Sequence, residues 1–164
     1  MIDFRVLGPD DWRLWRDLCV AALEDAPAAF GSTLAQWTGS GDGEDRWRSR
    51  LADVALNVVL LVDGEPAGMV SALDPNEDSA VELISMWVAP CARGQGVGDA
   101  AVRHVVSWAQ TEHGASVVLA VKTDNDHAVC LYQRHGFVDA GPSLDDPSER
   151  LMTAGIAEAK NDSG

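Results

Sequence analysis

The stretch from Val81 to Trp108 constrains this chain more than any other. Val81-Glu82-Leu83-Ile84-Ser85-Met86-Trp87-Val88 is an apolar run rich in β-branched and aromatic residues, which reads as a buried strand that Pro90 ends. Gly94, Gly96 and Gly98 then stand at every second position. They open an amphipathic helix with Val97, Ala101, Val102, Val105, Val106 and Trp108 on or near one face. Strand, glycine turn and helix in that order aim several free backbone N–H groups and a positive helix end at an anion. Phosphate is the anion such a turn suits best, and Arg93 at its mouth adds a fixed positive charge.

Three known glycine turns can be set against these residues. A P-loop needs Lys and Ser or Thr after its last glycine, where this chain has Val97-Gly98-Asp99. A dinucleotide fingerprint, Gly-x-Gly-x-x-Gly, fails by one residue, because the sixth position counted from Gly94 is Asp99. The third turn fits. Arg93-x-x-Gly96-x-Gly98 resembles the Gln/Arg-x-x-Gly-x-Gly/Ala block of the GNAT superfamily, the acyl-CoA-dependent N-acetyltransferases, and follows a strand ending in Val-x-Pro as it does there. Downstream, Asn125-Asp-His-Ala128-Val-Cys-Leu131-Tyr132-Gln-Arg-His-Gly136-Phe137 resembles that family's second signature, Asn-x-x-Ala-x-x-Leu-Tyr-x-x-x-Gly-Phe. The resemblance covers roughly residues 55–140; the first fifty residues share only its layout.

At 164 residues the chain is long enough for one domain with a sizeable core, expected over 1–156 with a frayed tail at 157–164. A net charge of −14 argues against nucleic acid and anionic membrane as partners, since both need a basic face, and is compatible with a cationic amine. No apolar run approaches the ~20 residues that cross a bilayer. The start, Met1-Ile2-Asp3-Phe4-Arg5, lacks the regions of a signal peptide, so the cytoplasm is expected. Cys19, Cys91 and Cys130 are an odd count without ligand spacing; reduced thiols and no metal are expected.

Residues 2–6 alternate as a first strand, and Gly8-Pro9-Asp10-Asp11 starts a helix with an Asp cap. Trp12, Trp15, Leu18, Cys19 and Ala22 form its apolar stripe, which ends before Pro27. A second helix is expected from about Glu44 to Asp53. Residues 57–62 and 66–72 flank Asp63-Gly64, a pair suited to the positive φ angles of a tight hairpin. Beyond the glycine-turn helix, residues 116–121 read as a strand, Thr123 or Asn125 as the cap of a short helix, and Gly136 as its left-handed end. Val138 begins another strand, and 150–156 pairs with it. The order gives an α/β (α+β) fold with a mixed central sheet flanked by helices.

The resemblance implies acetyl-CoA as co-substrate, with the backbone of Arg93, Gly94, Gln95, Gly96, Val97 and Gly98 on its pyrophosphate. It also implies that Met86 and Trp87 face the thioester carbonyl and Val88 the pantetheine arm, as a small oxyanion hole. Asn125 would support that arm or the tyrosine, or simply cap its helix. Tyr132, the one tyrosine of the chain, occupies the position of the acid that protonates the leaving thiolate. A cationic acceptor must first lose a proton, which costs roughly 4 kcal/mol at pH 7 for a pKa near 10. Glu82, inside an apolar strand, is either the candidate base or a strand-end residue facing solvent; a water chain is the alternative base, with Glu77, Asp78 and His127 as weaker candidates, and Phe30, Ser32 and Trp37 are candidate acceptor contacts. The expected activity is N-acetylation of a small primary amine in a ternary complex by a monomer or homodimer. The alternatives are a protein N-terminal or lysine acetyltransferase and a non-catalytic acyl-CoA-binding regulator.

Overall fold

The computed structural model describes residues 2–26, 42–144 and 146–155. Phe30, Ser32 and Trp37 lie outside these residues, as does the segment 157–164. The chain forms two compact units, one comprising residues up to Ala72 with Ser85–Gly98, the other Leu73–Ile84 with the residues from Asp99 on.

In the first unit, β1 (Ile2–Val6) pairs antiparallel with β2 (Leu56–Val62), which pairs antiparallel with β3 (Glu65–Ala72). Asp63 and Gly64 join β2 to β3 with φ of 51° and 86°, as the Asp-Gly pair requires. Helix α1 (Trp12–Asp25) follows a 3-10 turn at Pro9–Asp11. Its start differs from the expected Asp cap. The Asp11 carboxylate reaches back to the Gly8 N–H at 3.0 Å and to Arg5 at 2.7 Å, and bonds no amide of the helix. Helix α2 (Glu44–Asp53) runs over the residues expected for it.

Trp15, Leu18 and Ala22 of α1 meet Trp47 and Leu51 of α2 and Val59 and Met69 of β2 and β3 in one buried cluster. Trp12 and Cys19 flank it, half-buried. Arg16 holds Asp42 through two bonds of 2.6 Å, and the Trp47 indole N–H donates to the same carboxylate at 2.8 Å. Arg16 first, and then Trp47, keep the Asp42 pKa down at about 2. The sign follows from linkage: a depressed carboxylate stabilises the fold above its ordinary pKa and stops doing so as pH falls through the folded value. Asp42→Asn is therefore expected to lower the melting temperature by a few degrees at pH 7, with the gap closing near pH 2. An equal gap in thermal melts at both pH values would remove Asp42 from the stability of this corner.

The second unit contains the first part of β4 (Ala80–Val88), β5 (Ser116–Lys122), β6 (Val138–Pro142) and β7 (Glu149–Ala154). Here β4 and β5 run parallel, and the order continues β5-β7-β6 with antiparallel pairs. Helix α3 (Val97–Trp108) buries Ala101, Val102 and Val105 and ends in a π turn over Ala109–His113; Gly114, at φ 57°, closes it. Helix α4 (Asp126–Arg134) stops at Gly136, φ 87°, as expected. Parallel and antiparallel pairs together make the mixed α/β architecture that the element order implied.

Candidate functional site

The glycine turn is built as the spacing required. Gly94 and Gly96 have φ of 81° and 87°, where a side chain is strained, while Arg93, Gly94 and Gln95 are exposed. The first-turn N–H groups of α3 have no partner inside the helix. Among the described residues Gly94, Gln95 and Gly96 donate no backbone hydrogen bond. Val97 is buried and pins the turn to the body of its unit.

Arg93 is not a free cation at the turn's mouth. Its Nη2 donates to Asp25 at the end of α1 at 2.5 Å, and its Nε to the carbonyl of Val88 at 3.1 Å. The indole N–H of Trp87 donates to the same Asp25 at 3.1 Å. Trp87 first, then Arg93, hold the Asp25 carboxyl below its ordinary range. One carboxylate thus fixes both Trp87 and Arg93. Nothing in the sequence marks Asp25 out, because the contact joins residues 62 and 68 positions apart.

The parallel ladder of β4 with β5 covers only Ala80–Glu82, while β4 continues to Val88. Ser85, within β4, has φ 56°, a left-handed conformation that a serine seldom takes inside a strand. It stands immediately before Met86 and Trp87. Against the same strand lies Gly68 of β3. A Cβ built on it would come 2.7 Å from the Trp87 carbonyl oxygen and 3.2 Å from a Val97 methyl. Gly68 also went unnoticed in the sequence, where it reads as a mere interruption of an apolar strand.

Glu82 is exposed, with its backbone paired to Val118 and its carbonyl accepting from the Leu73 N–H at 3.0 Å. Of its two readings, a buried base and a residue facing solvent, the strand takes the second, because side chains alternate and its two flanking residues take the inner face. Tyr132, by contrast, is 6% exposed and tilts against Phe137 with ring centroids 5.7 Å apart. Burial pushes its phenol up to about 12. Asn125 caps α4, its Oδ1 accepting from the Ala128 N–H at 3.2 Å. The half-buried His135 ring meets Asp99 at 2.8 Å. No described helix is long and apolar enough to cross a membrane.

Comparison with known proteins gives a consistent result. The model of the acetyltransferase (GNAT) family matches residues 15–137. Streptothricin acetyltransferase of Streptomyces lavendulae is 30% identical over 103 residues, which are 63% of this chain and 54% of that protein. The chain therefore spans about half the length of that relative. Among solved structures, the dodecameric spermidine N-acetyltransferase of Vibrio cholerae superposes with a TM-score of 0.75 at 19% identity, over 99% of this chain and 98% of the other. The PaiA N-acetyltransferase of Thermoplasma acidophilum, solved with coenzyme A, gives 0.74 at 14% identity, covering 94% and 99%. At these identities the solved structures establish a common fold.

Proposed function

Because this chain belongs to the acetyltransferase (GNAT) family, we propose that it moves an acetyl group from acetyl-CoA to a primary amine of a small molecule, by direct attack in a ternary complex. The observation that carries this reading is the turn between β4 and α3, whose glycine-lined amides donate to no acceptor among the described residues. A diphosphate supplies the oxygens such amides lack, and glycine lets it approach without a Cβ in the way.

The residues of the first unit divide the work of binding. Arg93 to Gly98 hold the diphosphate, and the backbone of Met86, Trp87 and Val88 receives the thioester and the pantetheine arm. Asp25 and Gly68 keep that strand and turn in place. In the reaction the amine nitrogen attacks the thioester carbon, forming the C–N bond as the C–S bond breaks. The sulfur leaves with the electron pair and takes the proton of the Tyr132 hydroxyl, which solvent restores. The proton lost by the amine passes to Glu82 or to water. An exposed Glu82 fits the collection of a proton bound for solvent better than the storage of one. Asn125 orients the helix that carries Tyr132. Phe30, Ser32 and Trp37 remain the proposed acceptor contacts.

Calorimetry with acetyl-CoA, followed by thiol release with a panel of amines, tests this reading. Failure of folded protein to bind acetyl-CoA would overturn it, and binding without turnover of any amine would leave a binding module. Arg93→Glu is expected to weaken acetyl-CoA binding at least about tenfold, because it removes a charge-assisted contact and sets a second carboxylate beside Asp25. Unchanged affinity in the same titration would separate Arg93 from the diphosphate.

A further inference from the structure

Arg50 of α2 is held among neutral partners. Its Nη1 donates to the Asn57 Oδ1 at 2.8 Å, and its Nη2 to the hydroxyls of Ser71 at 3.3 Å and Ser85 at 3.1 Å. Its Cζ stands 5.2 Å from the centroid of the Trp15 ring. Cys19 belongs to the same cluster, and burial pushes its thiol up to about 12, so it brings no negative charge at neutral pH. Among the described residues no carboxylate forms an ion pair with Arg50, and its Nε donates to nothing. In a chain with 26 acidic residues against 12 Lys and Arg this is anomalous for a half-buried arginine; Arg13 and Arg103, which likewise form no ion pair among the described residues, are exposed. Arg16, Arg48 and Arg93 each hold at least one carboxylate.

A second observation points the same way. The indole N–H of Trp15, a side chain with 0% exposure, has no acceptor among the described residues. A buried donor left unpaired is costly and uncommon. The cluster is therefore rich in donors and short of acceptors. It also lies at a telling place, since Ser85, to which Arg50 donates, is the left-handed residue directly before Met86 and Trp87.

We propose that Arg50 anchors a carboxylate of the acceptor, so that the substrate is an amine with a carboxylate a few bonds from its nitrogen, as in an amino acid. This rests on the reading above, in which Met86 and Trp87 face the thioester. With Nη2 committed to the two serines and one Nη1 hydrogen to Asn57, the Nε N–H is the donor left for a carboxylate oxygen, and a half-buried cation binds an anion more strongly than an exposed one. Burial lowers the pKa of Arg50, the direction expected of a cation without compensation. The competing role, a brace that only steadies Ser85, predicts equal damage to every substrate.

The two are separated by thiol release from acetyl-CoA with the full chain, using a set of amino acids and, for each, its carboxamide. The wild type is expected to favour the acid over its amide by at least about tenfold in kcat/KM, chiefly through KM. Arg50→Gln brings that ratio toward unity, and Arg50→Lys restores part of it. Equal use of acid and amide by the wild type, or an unchanged ratio in folded Arg50→Gln, overturns the proposal. Should Arg50→Gln not fold, Arg50→Lys decides: a ratio below that of the wild type sustains the anchor, and an unchanged ratio overturns it. The melting temperature of the CoA-loaded chain, followed with amino acid and amide, reads the anchor without turnover. A rise confined to the acids and lost in the Arg50 variants sustains the anchor even if no thiol is released, an outcome that would sink acetyl transfer alone. An identical response to acid and amide sinks the anchor.

Discussion

Tyr132→Phe is expected to lower kcat by roughly 10²–10⁴-fold, the range of a lost general acid, while acetyl-CoA affinity stays close to that of the wild type. The substitution keeps the ring that packs against Phe137 and removes only the hydroxyl. No hydrogen bond of that hydroxyl exists among the described residues, so its loss should cost the fold little, and thermal melts provide the control. A raised pKa makes the phenol a weaker acid. Yet the burial that pushes it to about 12 also disfavours a thiolate formed beside it, and the proton moves on the difference between the two.

The pH profile follows from the sign of that shift. A phenol with a folded pKa of about 12 stays protonated throughout the assay range, so it contributes no descending limb below about pH 10. kcat/KM should instead climb with pH as the free amine appears, and level off. Alkaline stability is affected in the opposite sense. The unfolded tyrosine ionises near pH 10, ahead of the folded one, so the fold weakens as pH rises between those values. Turnover by Tyr132→Phe equal to that of the wild type would remove Tyr132 from the mechanism.

Gly68→Ala should be the most damaging single methyl in the first unit. The added Cβ would sit 2.7 Å from the backbone oxygen of Trp87, and backbone cannot rotate away as a side chain can. The Val97 methyl at 3.2 Å blocks the other direction, so relief requires β3 and β4 to separate. Overpacking of this kind costs about 1–3 kcal/mol, and a backbone obstacle places this case at the upper end. For a chain of this size that is a fall of roughly 5–10 °C in melting temperature. The same movement displaces Trp87 and the start of α3, so acetyl-CoA affinity should drop as well. A melt and a titration at wild-type values would show that this strand tolerates the shift, and would weaken the assignment of Trp87 to the thioester.

What the sequence alone determined was everything written in neighbouring residues. Gly94 and Gly96 announced a turn of positive φ, the apolar period from Val97 to Val105 announced the helix behind it, and Asp63-Gly64 announced the hairpin. The two signature blocks named the family, because each is a set of neighbouring residues read directly along the chain. Only the tertiary structure decided what depends on partners far along the chain. Asp25 fixes Trp87 and Arg93 from the end of α1, Gly68 makes room for the Trp87 carbonyl, and Arg50 reaches the strained Ser85 with no anion among the described residues to balance it. It also decided which side of β4 each residue faces: the apolar neighbours of Glu82 leave burial and a solvent-facing position equally open, and the alternation of the strand turns it out to solvent. Short-range order is set by torsion angles and the periodicity of apolar residues, which one segment carries by itself. Charge pairing and steric room are set by whatever folding brings alongside, which no single segment records.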